Sequence, residues 1–223
     1  MGIYVGDKRY APYIGDKRRR YMGGGSAPLP YDAEVEYLVF ANTQGIDTNI
    51  ISDLSYTFEL KVNISSITNG SENKNKIFTS RAGSADSQSR FFELEISSSD
   101  NYLRPRYNTD KDLTTYVVSL NTDMVISFNT SGQYIVNNEV VKTVTRVSNS
   151  TTKHLFVGCN SGIASNCGIT GKYYYYRLYD GSTLILDFIP VRVGTDGYFY
   201  EKVSGELFKA TNNTTFGVGP DKT

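Results

Sequence analysis

Tryptophan is absent from this 223-residue chain, histidine occurs once and cysteine twice. Each scarcity excludes something. Without an indole, any sugar-stacking platform must be made of tyrosine or phenylalanine. One histidine, His154, and two thiols, Cys159 and Cys167, make a poor zinc site. A Ser/His/Asp set is not expected, because His154 sits in a strand pattern beside Leu155 and Phe156. No apolar run approaches the roughly 18 residues that span a bilayer, so no membrane partner is expected. The basic N-terminus has no apolar stretch behind it and is not read as a signal peptide. Nucleophile elbow, P-loop and dinucleotide fingerprint are all missing. Gly23-Gly24-Gly25 lacks the strand before and the helix after that a phosphate cradle needs.

Net charge is also absent: 23 Lys and Arg balance 23 Asp and Glu. The balance hides an asymmetry. Residues 1–25 hold Lys8, Arg9, Lys17, Arg18, Arg19 and Arg20 against Asp7 and Asp16, and the remainder of the chain is correspondingly acidic. A basic arm on an acidic body fits docking onto an acidic surface. Nucleic acid is not expected as a partner, because phosphate recognition calls for a larger basic field.

The arm is repetitive. Tyr4-Val5-Gly6-Asp7-Lys8-Arg9 recurs as Tyr13-Ile14-Gly15-Asp16-Lys17-Arg18, with a truncated third copy at Tyr21-Met22-Gly23. Each unit is a short extended stretch that reverses at Gly-Asp. A unit this short cannot bury its own apolar side chains and needs a partner surface or other copies of itself. Tyr4, Lys8, Arg9, Tyr13, Lys17, Arg18, Arg19, Arg20 and Tyr21 are therefore the candidate anchoring residues; the competing reading is a disordered basic tail. A Gly/Pro linker over 26–30 separates the arm from a body over 31–223.

Period-two alternation dominates the body. Tyr56, Phe58, Leu60 and Val62 alternate with Thr57, Glu59 and Lys61, and Phe92, Leu94 and Ile96 with Glu93 and Glu95. Met124–Phe128, Val140–Thr145, Leu155–Gly158 and Leu184–Ile189 read as further strands, and Asp180-Gly181 and Asn137-Asn138 as hairpin turns. The expectation is an all-β jelly-roll sandwich of two antiparallel sheets, with Leu186–Pro190 as the last long strand before an edge hairpin.

Five segments occur in a telling order. They are Val35-Glu36-Tyr37-Leu38, Gln44-Gly45-Ile46-Asp47-Thr48, Leu186-Asp187-Phe188-Ile189-Pro190-Val191-Arg192, Gly197 through Phe208, and Phe216-Gly217-Val218-Gly219-Pro220-Asp221. Together they resemble the concanavalin A-like (LamG-type) jelly-roll domain of gut bacteriophage structural proteins, including the head fibre proteins of crAss-like phages. Glu201 stands where an Asp is usual and Gly45 where an aromatic is usual. The resemblance implies a virion protein (head fibre, decoration or tail accessory) assembled in the host bacterial cytoplasm. Its arm would attach to other virion proteins and its body would face outward. The alternatives are a secreted or surface carbohydrate-binding module of a bacterium and a degenerate glycoside hydrolase. In a reducing cytoplasm Cys159 and Cys167 would be free thiols, although a hairpin disulfide is conceivable.

Enzymes resembling this fold carry an E-x-D-x-x-E or E-x-D-x-E strand, with the two working carboxylates held about 5–5.5 Å apart for retaining chemistry. The nearest match is Glu93-Leu94-Glu95-Ile96-Ser97, where Ser97 or Ser98 stands in place of the acid. Glu93 and Glu95 read as solvated outward residues, and the protein reads as a non-enzyme. The 18 tyrosines are densest at Tyr173-Tyr174-Tyr175-Tyr176. Alternation puts Tyr173 and Tyr175 on one side and Tyr174 and Tyr176 on the other. Tyr174 and Tyr176 are the candidate pair for host or mucin glycans. The loops over 69–75 and 83–89 are candidate recognition loops. Asp100, Asp110 and Asp112 could contribute to a calcium site, but their spacing does not compel one, and no cofactor or metal is expected. Closed symmetry predicts a dimer or trimer held through the arm, which would multiply weak glycan binding.

Overall fold

In the computed structural model the described residues are 28–68, 75–80, 91–111, 114–158 and 169–223. The nine candidate anchoring residues of the arm, both cysteines, Asp112 and nearly all of the two polar loops lie outside them. Seventeen strands follow one another: β1 (Ala33–Glu34), β2 (Leu38–Phe40), β3 (Gly45–Asp53), β4 (Thr57–Ile67), β5 (Lys76–Thr79), β6 (Phe91–Ile96), β7 (Leu103–Asn108), β8 (Asp110–Lys111), β9 (Asp123–Phe128), β10 (Gln133–Val136), β11 (Glu139–Thr143), β12 (Ser150–Gly158), β13 (Ile169–Asp180), β14 (Thr183–Val193), β15 (Asp196–Glu201), β16 (Glu206–Phe208) and β17 (Gly217–Val218). Every pairing is antiparallel, and no helix occurs among the described residues.

The strands form two sheets. The larger has the order β11-β10-β9-β4-β13-β14-β15-β16, with β1 beside β14, β2 beside β13 and β17 beside β2; the smaller runs β3-β12-β5-β6-β7-β8. This is the expected jelly-roll sandwich of concanavalin A-like architecture. Both anticipated hairpin turns form: Asn137 and Asn138 have φ of 48° and 70° between β10 and β11, and Gly181 has φ of 57° between β13 and β14. The strand containing Leu186–Pro190 leads through β15 to the short edge strand β16.

Aromatic rings fill the space between the sheets. Phe58 meets Phe78 at 4.7 Å between centroids, and Phe128 stacks on Tyr134 at 4.4 Å. Nearer the chain ends Phe40 lies 4.2 Å from Tyr173 and 4.3 Å from Phe216. These are the inward positions of the period-two pattern, drawn from both sheets, and their burial is the main driving force of the fold.

The recurrent segments are explained by this packing. The Glu201 carboxylate accepts from the backbone N–H of Asp187 at 2.8 Å, of Val203 at 3.0 Å and of Ser204, so it staples β14 to the turn after β15. Gln44 donates to Thr214 Oγ1 at 2.8 Å and to the Thr215 carbonyl at 2.7 Å, tying the early chain to the C-terminal segment. A Cβ on Gly197 would stand 2.7 Å from Leu38 Cδ2 and 2.9 Å from the Phe216 carbonyl oxygen, so β15 and the segment leading into β17 touch only because that side chain is missing. The segments that carried the resemblance thus act as structural staples.

Candidate functional site

Two clusters of polar side chains lie on the sides of the sheets turned away from the shared core, one on each sheet. On the smaller sheet Phe92, Leu94 and Ile96 point into the core, as alternation requires. Glu93 and Glu95 point the other way but are not solvated: both are fully buried. Cations on the flanking strands, themselves buried, pair with them. Lys76 Nζ lies 2.6 Å from Glu93 Oε2 and also contacts Glu95 Oε2, while Arg106 Nη2 is 2.9 Å from Glu95 Oε1. Arg104 stands 3.9 Å from the same oxygen, and Thr79 donates to Glu93 Oε1 at 3.0 Å. The expectation of a solvated face is therefore corrected: a carboxylate on a strand can be buried when its cross-strand neighbours are bases. Neither carboxylate is free to face a substrate cleft. Ser97 at the third position bonds to Ser99 rather than supplying an acid. On the same sheet His154 Nδ1 pairs with Asp47 at 3.0 Å, and no serine completes a triad among the described residues.

On the larger sheet the four consecutive tyrosines do not alternate simply. The register of β13 against β4 slips between Tyr173 and Tyr175: Tyr173 faces Val62, Tyr175 faces Lys61 and Tyr176 faces Leu60. Tyr174 is the extra residue of a bulge, which breaks the period of two. Tyr173 and Tyr176 both enter the core, each 1% exposed, while Tyr174 and Tyr175 stay outside. Tyr176 is therefore withdrawn as a glycan-contacting candidate. Burial raises the pKa of both Tyr173 and Tyr176, and the Tyr176 hydroxyl has no hydrogen-bond partner.

Tyr174 lies at the centre of an outward strip that crosses β9, β4 and β13 and reaches the residue before β2. Its ring meets Tyr37, the residue before β2, edge-on at 5.6 Å. Lys61 Nζ sits 4.2 Å from the Tyr174 centroid, and Lys172 Nζ 4.2 Å from that of Tyr37. The Tyr174 hydroxyl donates to Asp123 Oδ1 at 2.8 Å; the same carboxylate accepts from Asn63 at 2.9 Å and pairs with Lys61 at 2.8 Å. Burial opposes ionisation of Asp123, but these hydrogen bonds and the Lys61 charge outweigh it and bring its pKa down to about 2. Burial and the bond to Asp123 push the Tyr174 hydroxyl well up. Beside it Tyr175 is pushed up to about 12 by burial and by its bond to Glu59, and Arg177 stacks on its ring at 4.8 Å.

Two glycines make the strip. A Cβ on Gly171 would lie 2.4 Å from the Asn63 carbonyl, so its absence lets β13 close on β4. A Cβ on Gly219 would lie 3.0 Å from the Tyr37 ring, so the Gly-Val-Gly-Pro segment is the bed on which that ring rests. Tyr37, Lys61, Asn63, Asp123 and Lys172 escaped sequence reasoning because they come from four distant segments; Tyr37 alone lay inside a motif. Asp100 is spent on its own turn, accepting from Tyr102 N at 3.1 Å. The described residues gather no set of three potential metal ligands, and the Asp110 side chain lies outside them.

No protein-family model matches the chain, and no curated protein matches it in sequence. Solved structures do resemble it. One is a candidate carbohydrate-binding protein from Bacteroides ovatus ATCC 8483, with a TM-score of 0.53 and 12% identity, covering 86% of this chain and 62% of that one. The chain thus spans less than two thirds of that protein's length. Another is the heptameric SAP-like pentraxin of Limulus polyphemus, with a TM-score of 0.36 and 13% identity over 69% of this chain and 73% of that one. At such identity the Bacteroides likeness concerns the fold.

Proposed function

We propose that the body is a carbohydrate-binding module and that the Tyr37–Tyr174 strip is its binding face. One observation carries this reading: two solvent-facing rings are locked edge-to-face and ringed by the hydrogen-bonding groups of Asn63, Asp123, Lys61 and Lys172. Sugar recognition needs that combination, flat apolar area beside fixed polar groups. The likeness in fold to the candidate carbohydrate-binding protein of Bacteroides ovatus supports it. The test is affinity for a panel of polysaccharides with wild type and Tyr174→Ala. Asp123 keeps Lys61 and Asn63 in the variant, so the body should fold while affinity falls at least about tenfold, as for loss of an aromatic anchor. Unchanged affinity would remove the strip from consideration.

The setting we propose is a phage virion, with Tyr4, Lys8, Arg9, Tyr13, Lys17, Arg18, Arg19, Arg20 and Tyr21 anchoring a dimer or trimer to other virion proteins. The tandem basic repeat supports it; a secreted bacterial module is the alternative setting for the same body. Deleting residues 1–25 should leave a folded body that no longer joins particles, and normal occupancy by the truncated protein would refute the anchor. We propose no catalytic role, since Glu93 and Glu95 are tied up by Lys76 and Arg106. Release of reducing sugar from any bound polysaccharide would overturn that.

A further inference from the structure

We infer that the sugar taken by this strip carries a carboxylate, and that the ligand is a uronate-containing polysaccharide. The inference rests on the strip being the carbohydrate face and adds its chemical class. Two lysine ammoniums lie over the two rings, each 4.2 Å from a centroid. A neutral sugar stacking on either ring face would displace an ammonium and lose a cation–π contact worth about 0.5–1 kcal/mol at exposed sites. An acidic sugar offsets that loss, because the ammonium it moves aside gains the sugar's carboxylate as a partner.

The two lysines differ in what they can offer. Lys61 is neutralised by Asp123 at 2.8 Å. Lys172 has no carboxylate within ion-pair distance among the described residues; its ammonium rests on Tyr37 alone. Its place is fixed from both sides, since on β13 it stands opposite Asn63 of β4 and Val39 of β2. The strip therefore presents a ring pair, an amide and one held cation awaiting an anion. A uronate matches it: the carboxylate is attached directly to the sugar ring, so a pyranose lying along Tyr37 and Tyr174 brings its charge to the ring's own edge, within reach of Lys172. A sulfate ester hangs from a longer, freely rotating arm and gains less from a cation held against the platform.

The experiment compares binding of the full chain to uronate polymers (polygalacturonate, alginate and hyaluronan), to their methyl-esterified forms and to dextran sulfate. It is run with wild type, Lys172→Gln and Lys209→Gln, the last removing an exposed charge outside the strip. Wild type should bind at least one uronate polymer. Esterification of that polymer and Lys172→Gln should each lower affinity about tenfold, as expected for one charge-assisted hydrogen bond, while Lys209→Gln leaves it unchanged. Equal binding of acid and ester forms, or preference for a neutral polysaccharide, would overturn the inference and leave the carbohydrate-binding reading standing. Tightest binding to dextran sulfate, or equal losses in the two lysine variants, would also overturn it, by showing general attraction to polyanions. Binding to no polysaccharide at all would remove the parent reading as well.

Discussion

Replacing Lys76 by methionine isolates the energetics of the smaller sheet's outer face. The ammonium bridges two fully buried carboxylates, lying 2.6 Å from Glu93 and also in contact with Glu95. Methionine keeps the length and apolar stem but removes the charge. Breaking a buried ion pair from one side costs about 3–5 kcal/mol, because the remaining charge stays desolvated. For a domain of this size that corresponds to a fall in Tm of roughly 6–20 °C. Adding Glu93→Gln removes one of the two carboxylates that the ammonium bridges, while Thr79 can still donate to the amide oxygen. The double variant should therefore be more stable than Lys76→Met alone, with a coupling of about 1–3 kcal/mol in the cycle. Urea and thermal unfolding at neutral pH, followed by near-ultraviolet circular dichroism, measure both quantities. A loss below about 1 kcal/mol, the scale of an exposed pair, would refute the buried network; so would strict additivity of the two substitutions.

Three further outcomes follow from the tyrosines and Asp123. Tyr176→Phe should be neutral or mildly stabilising, within about 1 kcal/mol, because it removes a buried hydroxyl that has no hydrogen-bond partner; a large loss in a urea titration would mean that the hydroxyl is bonded. Burial raises the pKa of Tyr173 and Tyr176 in the folded state, so their contribution to stability is complete below the ordinary value of 10.0 and falls away as pH rises above it. Phenolate absorbance should then rise in step with unfolding, and ionisation of all 18 tyrosines before unfolding would contradict the burial. Asp123 is depressed to about 2 from 3.8, so it stabilises above its unfolded value and loses that contribution as pH falls toward 2. Carboxyl chemical shifts should show Asp123 still ionised at pH 3, and a midpoint near 4 would break the assigned bonds to Lys61, Asn63 and Tyr174.

Sequence alone determined the class of fold, because period-two alternation reports which side of a strand is apolar whatever the strand pairs with. Phe58, Leu60 and Val62 are core residues in the sheet as in the pattern, and Asn137-Asn138 turns where Asn tolerates positive φ. Two things were decided only by tertiary structure. Glu93 and Glu95 alternate correctly, but whether an outward carboxylate meets water or cations depends on the cross-strand register that sets residues of β5 and β7 beside them, which the alternation of one strand does not report. Tyr174 and Tyr176 part company because a bulge opposite β4 inserts one residue, and a bulge is a property of a strand pair, invisible in one strand's sequence. The candidate site belongs to this second kind: Tyr37, Lys61, Asn63, Asp123, Lys172 and Tyr174 are scattered along the chain, and only the antiparallel register of neighbouring strands brings their side chains to one patch of surface.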